Sequence, residues 1–266
     1  MSASIRRLQI ALGVLALTAV AGCHRIRNAH APVEPPPKGG AQSLPAAREI
    51  IERYVDAIGG DEWKKHKSAR MTARLEVPAQ GLSATIEAMN VFPTQYVMKM
   101  EIPGMGSIQS GYDGSVAWMK EPTMGPRLLQ GLEAEQIAEE AEPEAALRTS
   151  TKILSSETVE KASMNGTECY KVKHTWKSGR VTHDCFSVAD GLLVATSARQ
   201  VSAMGEMDVT TLHSEYKDFD GIKRPTVTTA QMMGLEAKTT LVSWVWDTVE
   251  AKDLEPPADV KALIKK

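Results

Sequence analysis

The chain has 266 residues, 42% of them hydrophobic, with 31 Lys and Arg against 33 Asp and Glu and a formal net charge of −2. That length allows one large all-β domain or two small domains, with enough apolar residues for a substantial core. The near-neutral charge, the lack of a basic run and an aromatic content of only 5% exclude the phosphate-reading and base-stacking footprint of a nucleic-acid binder.

At the N-terminus, Arg6 and Arg7 precede an apolar stretch over residues 8–21 that is broken only by Gln9 and Thr18 and closed by Val20-Ala21-Gly22-Cys23. Basic residues, a short apolar run and small residues at its end are the pattern of an export signal, and the run falls short of the ~20 residues a spanning helix needs. With the cysteine in place, the pattern resembles the lipobox of bacterial prolipoproteins. The resemblance implies cleavage before Cys23 and transfer of diacylglycerol to its sulfur, which makes Cys23 the lipid-attachment residue and residues 1–22 a signal peptide. Two other readings stand beside it: an ordinary cleaved signal in which Cys23 is incidental, and an uncleaved anchor. Cleavage leaves 244 residues, and without Arg6 and Arg7 there are 29 basic against 33 acidic residues, a charge of −4. Membrane attachment then comes from acyl chains, three of them in the Gram-negative pathway, and not from a polybasic patch. His24 in place of aspartate after the cysteine points to the outer membrane, facing the periplasm, under the usual proteobacterial sorting rule. Residues 23–45 carry Pro32, Pro35-Pro36-Pro37 and Gly39-Gly40 without apolar periodicity. They are expected to form a disordered tether, whose 20 residues from His24 to about Ser43 reach at most about 60 Å at ~3.1 Å per residue.

A helix is predicted from near Pro45, with Ile50, Ile51, Tyr54, Val55 and Ile58 at three- and four-residue spacing and a stop at Gly59-Gly60. Strands follow. Met71, Ala73, Leu75 and Val77 alternate with Arg70, Thr72, Arg74 and Glu76, and Tyr96, Met98, Met100 and Ile102 alternate with Val97, Lys99 and Glu101. Period two over such lengths marks half-exposed antiparallel strands. Asp113-Gly114, Asn165-Gly166, Asp190-Gly191 and Asp220-Gly221 supply turns between further runs. About eleven strands are predicted: 70–77, 83–92, 95–102, 107–110, 116–120, 157–163, 168–176, 180–188, 192–201, 206–218 with 223–229, and 237–248.

Between the fifth and sixth strands the pattern breaks. Residues 122–126 read as a loop, and residues 131–148 are rich in Ala and Glu, with Leu132, Ile137, Ala138 and Ala141 on a loose stripe interrupted by Pro143. One or two short helices are expected there, either a solvated cap on an open end of the sheet or a movable lid over a cavity. Glu139-Glu140 reads as a solvated face. Cys169 and Cys185 are an even pair in an exported chain, and their midpoint falls in Lys177-Ser178-Gly179, a hairpin loop. The two cysteines would then face each other across antiparallel strands as a disulfide, with free half-buried thiols as the alternative. In that register His174 and His183 point to opposite faces and share no metal. Neither Gly-x-Ser-x-Gly, His-Glu-x-x-His nor a phosphate-cradling glycine loop occurs. Thirteen methionines, among them Met98, Met100, Met204, Met207 and Met232-Met233, suit either an adaptable pocket or an ordinary core. Trp244 and Trp246 share a face of the last strand and either close the wall or line a cavity.

These elements, in this order, resemble the outer-membrane lipoprotein-sorting-like group, whose fold is that of the LolA and LolB lipoprotein carriers. The resemblance covers about residues 46–264. It is carried by Tyr54-Val55-Asp56-Ala57-Ile58-Gly59-Gly60, by Gly111-Tyr112-Asp113-Gly114 with Trp118 four residues on, and by Gly125-Pro126-Arg127-Leu128-Leu129-Gln130-Gly131. Phe219-Asp220-Gly221-Ile222-Lys223-Arg224-Pro225 and Leu254-Glu255-Pro256-Pro257-Ala258-Asp259-Val260 complete it. These are turns and core aromatics, not catalytic motifs. The resemblance implies a mainly β (α+β) domain over residues 46–266: an unclosed antiparallel β-barrel with an N-terminal helix and a helical lid inserted at about 128–148, around an apolar cavity that receives acyl chains. Ligand contact is then expected at Ile86, Tyr96, Met98, Met100, Ile102, Trp118, Trp244 and Trp246, with no catalytic residue, cofactor or metal. The partners implied are lipids or lipoprotein acyl chains, the membrane through the N-terminal anchor, and an envelope protein. Tethering favours reception, storage or short-range hand-off over shuttling. The rival reading is an interaction lipoprotein whose sheet is filled by its own side chains and whose outer surface docks an envelope complex. A third, an accessory of a peptidase system, rests on analogy with modules at the end of insulinase-type chains.

Overall fold

The computed structural model describes residues 43–202 and 205–265. The signal segment, Cys23, most of the tether and Met204 lie outside them. The predicted first helix is α1, Ala47–Ala57, which buries Ala47, Ile50, Ile51 and Tyr54 along one face. It stops at Gly59-Gly60, both with positive φ. A Cβ on Gly59 would sit 2.4 Å from the Gly221 carbonyl oxygen, and the Lys223 N–H donates to the Ile58 carbonyl at 2.9 Å. Two turn markers more than 150 residues apart are therefore packed against each other, and only glycine fits the approach. A 3-10 turn, Gly60–Lys65, then buries Trp63.

Thirteen strands follow: β1 (Ser68–Val77), β2 (Leu82–Val91), β3 (Gln95–Ile102), β4 (Gly106–Tyr112), β5 (Ala117–Glu121), β6 (Gly125–Leu128), β7 (Ile153–Met164), β8 (Thr167–Trp176), β9 (Val181–Ser187), β10 (Leu193–Ser202), β11 (Gly205–Phe219), β12 (Ile222–Met232) and β13 (Leu235–Trp246). They form one antiparallel sheet in the order β6-β5-β4-β3-β2-β1-β13-β12-β11-β10-β9-β8-β7, with β6 and β7 at its open edges. The count exceeds the expected eleven for two reasons. The run from 206 to 229 folds back at Asp220-Gly221 into two strands, and β6 was read as loop. Pro126 disguised β6, yet a proline is tolerated on an edge strand, where a missing N–H costs no ladder bond.

The sheet order has a geometric consequence. Because β6 and β7 are consecutive in the chain but lie at opposite edges, residues 129–152 must cross the mouth of the half-barrel. They do so as α2 (Leu132–Glu140) and α3 (Pro143–Ala146), and α2 packs on β4 and β5 of one wing and on β10 of the other. The inner face is filled at one end by Leu75, Val77, Leu82, Ala84, Met100, Ile102, Ile108, Ile137 and Met232. On the outer face a C-terminal helix, α4 (Ala258–Ile264), covers Met89, Val97 and Trp118 through Val260. Sequence reasoning missed α4, a helix of only two turns. Trp118 lies flat on Gly111, where a Cβ would come within 2.5 Å of the indole.

Cys169 and Cys185 are disulfide-bonded with Cα atoms 5.4 Å apart, but they are not directly opposed. The Trp176 N–H donates to the Arg180 carbonyl across the Lys177-Ser178-Gly179 loop, which sets Cys169 opposite Ser187 and Cys185 opposite Lys171. The register is offset by two residues from the one expected, so parity is kept and the bridge runs diagonally on one face. His174 and His183 accordingly stay on opposite faces.

Candidate functional site

At the end of the half-barrel that side chains do not fill, the inner face encloses a cavity of about 330 Å3, at the low end of ligand pockets. Its walls come chiefly from β1, β2, β3, β12 and β13, with Leu193 of β10 and His213 and Tyr216 of β11. Met71, Ala73, Ile86, Ala88, Met98 and Leu241 form the apolar side, and Ile137, Ala141, Ala145 and Ala146 of the insertion form the roof.

Of the residues expected to meet a ligand, Ile86, Tyr96, Met98 and Trp244 line this cavity together. Met100 and Ile102 share their face of β3 but are buried in the filled end. Trp118 is on the outer face under α4, because Gly111, its cross-strand neighbour, belongs to the other parity of β4. Trp246 points inward but is packed edge-on against Trp63, stacked on His66, and donates its Nε1–H to the Phe219 carbonyl at 3.1 Å. It closes the wall and does not line the space.

The other side of the cavity is polar, and sequence reasoning did not anticipate it. Arg148, at the end of the insertion, is nine-tenths buried and pairs through Nε and Nη2 with the fully buried Asp184 of β9. His174 Nε2 lies 3.3 Å from the same carboxylate, and Ser156 Oγ is 2.8 Å from His174 Nδ1. Burial alone would raise Asp184, yet the Arg148 guanidinium and the neighbouring His174 imidazole hold it well below the usual carboxylate range. A serine, a histidine and an aspartate in a row suggest a nucleophile triad. Here Asp184 is occupied by Arg148, and Ser156 on edge strand β7 is not among the lining residues, so the chain is a structural latch. Glu139 and Glu140, expected on a solvated face, instead pair with Arg180 at 2.9 and 3.1 Å, because Arg180 at the β8–β9 hairpin reaches back over α2. Burial pushes Glu140 up to about 7 against the pull of Arg180. The Tyr54 hydroxyl donates to the Ala146 carbonyl at 3.2 Å, and Arg127 binds Glu133 at 2.8 Å. The insertion is thus tied to both wings and to α1.

Arg224 is different. It projects from β12 into the cavity with its guanidinium 3.8 Å from the Trp244 ring centroid and 5.0 Å from that of Trp63. The signal that could have exposed it was its place in the Phe219–Pro225 marker, where it continues the inward alternation of Thr226 and Thr228 and adds a charge to their face of β12.

No family model matches the chain, and no curated protein matches it in sequence. Solved structures do. A LolA superfamily protein of Nitrosomonas europaea superposes with a TM-score of 0.54 at 12% identity, over 80% of this chain and 99% of the other. The chain has the LolA-type fold. A DUF1329 family protein of Desulfovibrio piger gives 0.54 at 12% identity, over 79% and 99% of the two chains. A domain assigned to outer-membrane lipoprotein sorting, from Vibrio parahaemolyticus, gives 0.52 at 11%, over 82% and 97%. The LolA-type half-barrel therefore accounts for nearly the full length of each neighbour, and the cavity described above lies inside it.

Proposed function

We propose that the chain is a lipid-anchored envelope protein that binds a lipid, a lipoprotein acyl chain or a similar amphiphile in the half-barrel cavity, without chemical turnover. The observation that carries this reading is the apolar cavity under an insertion that spans the two open edges of a LolA-type sheet. An acyl chain would gain about 0.8 kcal/mol per buried CH2, or ~8 kcal/mol for ten methylenes before ordering costs. The ion pairs that hold the insertion fit a roof that stays in place over the cavity. Among the described residues no helix is long and apolar enough to cross a membrane, so the proposed attachment rests on Cys23, and the outer membrane on His24.

The test uses residues 23–266 expressed without the leader and with Cys23→Ser. A fluorescent fatty-acyl probe is expected to bind, Ala88→Phe to weaken it at least tenfold by filling the cavity from β2, and Glu101→Gln on the outer face to leave it unchanged. Absence of probe binding in the folded protein would remove the lipid reading and leave the interaction lipoprotein in its place.

A further inference from the structure

Resting on the amphiphile reading above, we propose that the cavity selects an anionic single-chain amphiphile whose carboxylate or phosphate head is held by Arg224 between Trp63 and Trp244. The first support is charge accounting. Four cations line the cavity: Arg148, Arg180, Lys223 and Arg224. Arg148 is matched by Asp184, and Arg180 by Glu139 and Glu140. Among the described residues neither Arg224 nor the rim residue Lys223 has a carboxylate partner. Arg224 is half-buried, so its guanidinium bears part of the cost of desolvation without a counter-ion, and the cavity-facing position leaves room for that counter-ion to be a ligand.

The second support is the donor set. The Nε1–H groups of Trp63 and Trp244 are both buried without a hydrogen-bond partner among the described residues, and both indoles line the cavity beside Arg224. Unsatisfied buried donors are rare in folded proteins and call for a reason. The ring faces beside Arg224 offer it no oxygen acceptor, so its N–H donors are left for a bidentate oxyanion, the geometry at which Arg excels. Burial lowers Arg224 to about 10, with the hydroxyls of Tyr54 and Tyr216 offsetting part of the effect, so it is still charged at neutral pH. His213, also on the lining, is driven down to about 4 by burial and stays neutral there.

The third support is polarity. The head site lies at the β12–β13 and Trp63 side, and Ile86, Ala88 and Met98 lie across the cavity on β2 and β3. A molecule with one charged end and one short chain fits both, and the volume of about 330 Å3 leaves no room for several chains.

Isothermal titration of the residue 23–266 protein with decanoate, decyl phosphate and decanol separates the possibilities. At least one acid is expected to bind tenfold or more tighter than decanol, and the tighter of the two names the head group as carboxylate or phosphate. In Arg224→Gln that preference is expected to fall to within about twofold, with decanol affinity retained. Arg224→Lys, which keeps the charge without the fork, should recover part of it. Equal binding of acids and alcohol to the unaltered protein, a comparison that needs no folded variant, would overturn the head-group assignment while leaving the amphiphile reading standing. An undiminished preference in folded Arg224→Gln would do the same. Failure of all three ligands to bind would overturn both.

Discussion

Replacing Arg148 by Met tests whether the insertion is latched onto the inner face. The substitution keeps an unbranched stem, shorter and uncharged, but leaves the Asp184 carboxylate, fully buried, facing only His174. Breaking one side of a buried ion pair typically costs about 3–5 kcal/mol, against the ~0–1 kcal/mol of an exposed pair such as Lys171–Glu160. With a urea slope of about 2 kcal/mol/M, Arg148→Met should move the unfolding midpoint down by roughly 1.5–2.5 M, and Lys171→Met by less than about 0.5 M. Limited proteolysis should also cut faster within residues 131–150, since Arg148 is what joins that segment to β9. The double variant Arg148→Met with Asp184→Leu should recover a large part of the loss, because it removes the stranded charge. Asp184 adds a pH signature. Its folded carboxyl is held below its ordinary value, so its stabilisation is present above about pH 4 and is lost as pH falls toward the folded value. That acid sensitivity should shrink in the double variant. A midpoint shift for Arg148→Met no larger than that for Lys171→Met would refute the latch.

Three further outcomes are expected. Cys23→Ser should leave uncleaved precursor and abolish acyl labelling, read by metabolic incorporation of a labelled fatty acid; retained labelling would exclude Cys23 as the anchor. Non-reducing peptide mapping should recover Cys169 and Cys185 in one linked pair, and Cys169→Ala should cost about 3 kcal/mol for opening a loop of roughly 15 residues; both thiols freely alkylated would contradict the bridge. Glu140, raised to about 7, favours the folded state most below its ordinary value near 4.5 and loses that contribution as pH rises through about 7. Glu140→Gln should flatten the fall in melting temperature between pH 4.5 and 7.5, and an unaltered profile would argue against burial of that carboxyl.

Much of the fold is written locally in this chain, because strand parity and turn chemistry act over a few residues. The alternation of Tyr96, Met98, Met100 and Ile102 with Val97, Lys99 and Glu101 alone assigns the inner and outer faces of β3, and Asp-Gly and Asn-Gly pairs place the reversals. The spacing of Ile50, Ile51 and Tyr54 likewise specifies α1 without reference to anything else. What parity cannot say is how far along a face the core extends. Met98 meets a cavity and Met100 a filled interior because Leu75, Ile108 and Met232 arrive at one end of the half-barrel and not at the other. Parity turns Trp118 outward, and it is buried there only because α4, formed from the last residues of the chain, covers that side. The polar half of the site is the most non-local part. Arg148 and Asp184 meet only when the insertion crosses the open mouth, and Arg224 finds Trp63 and Trp244 only when β12 and β13 lie beside the segment that follows α1. Such encounters are set by strand order and sheet curvature, and no short window of sequence contains Arg148 with Asp184 or Trp63 with Arg224.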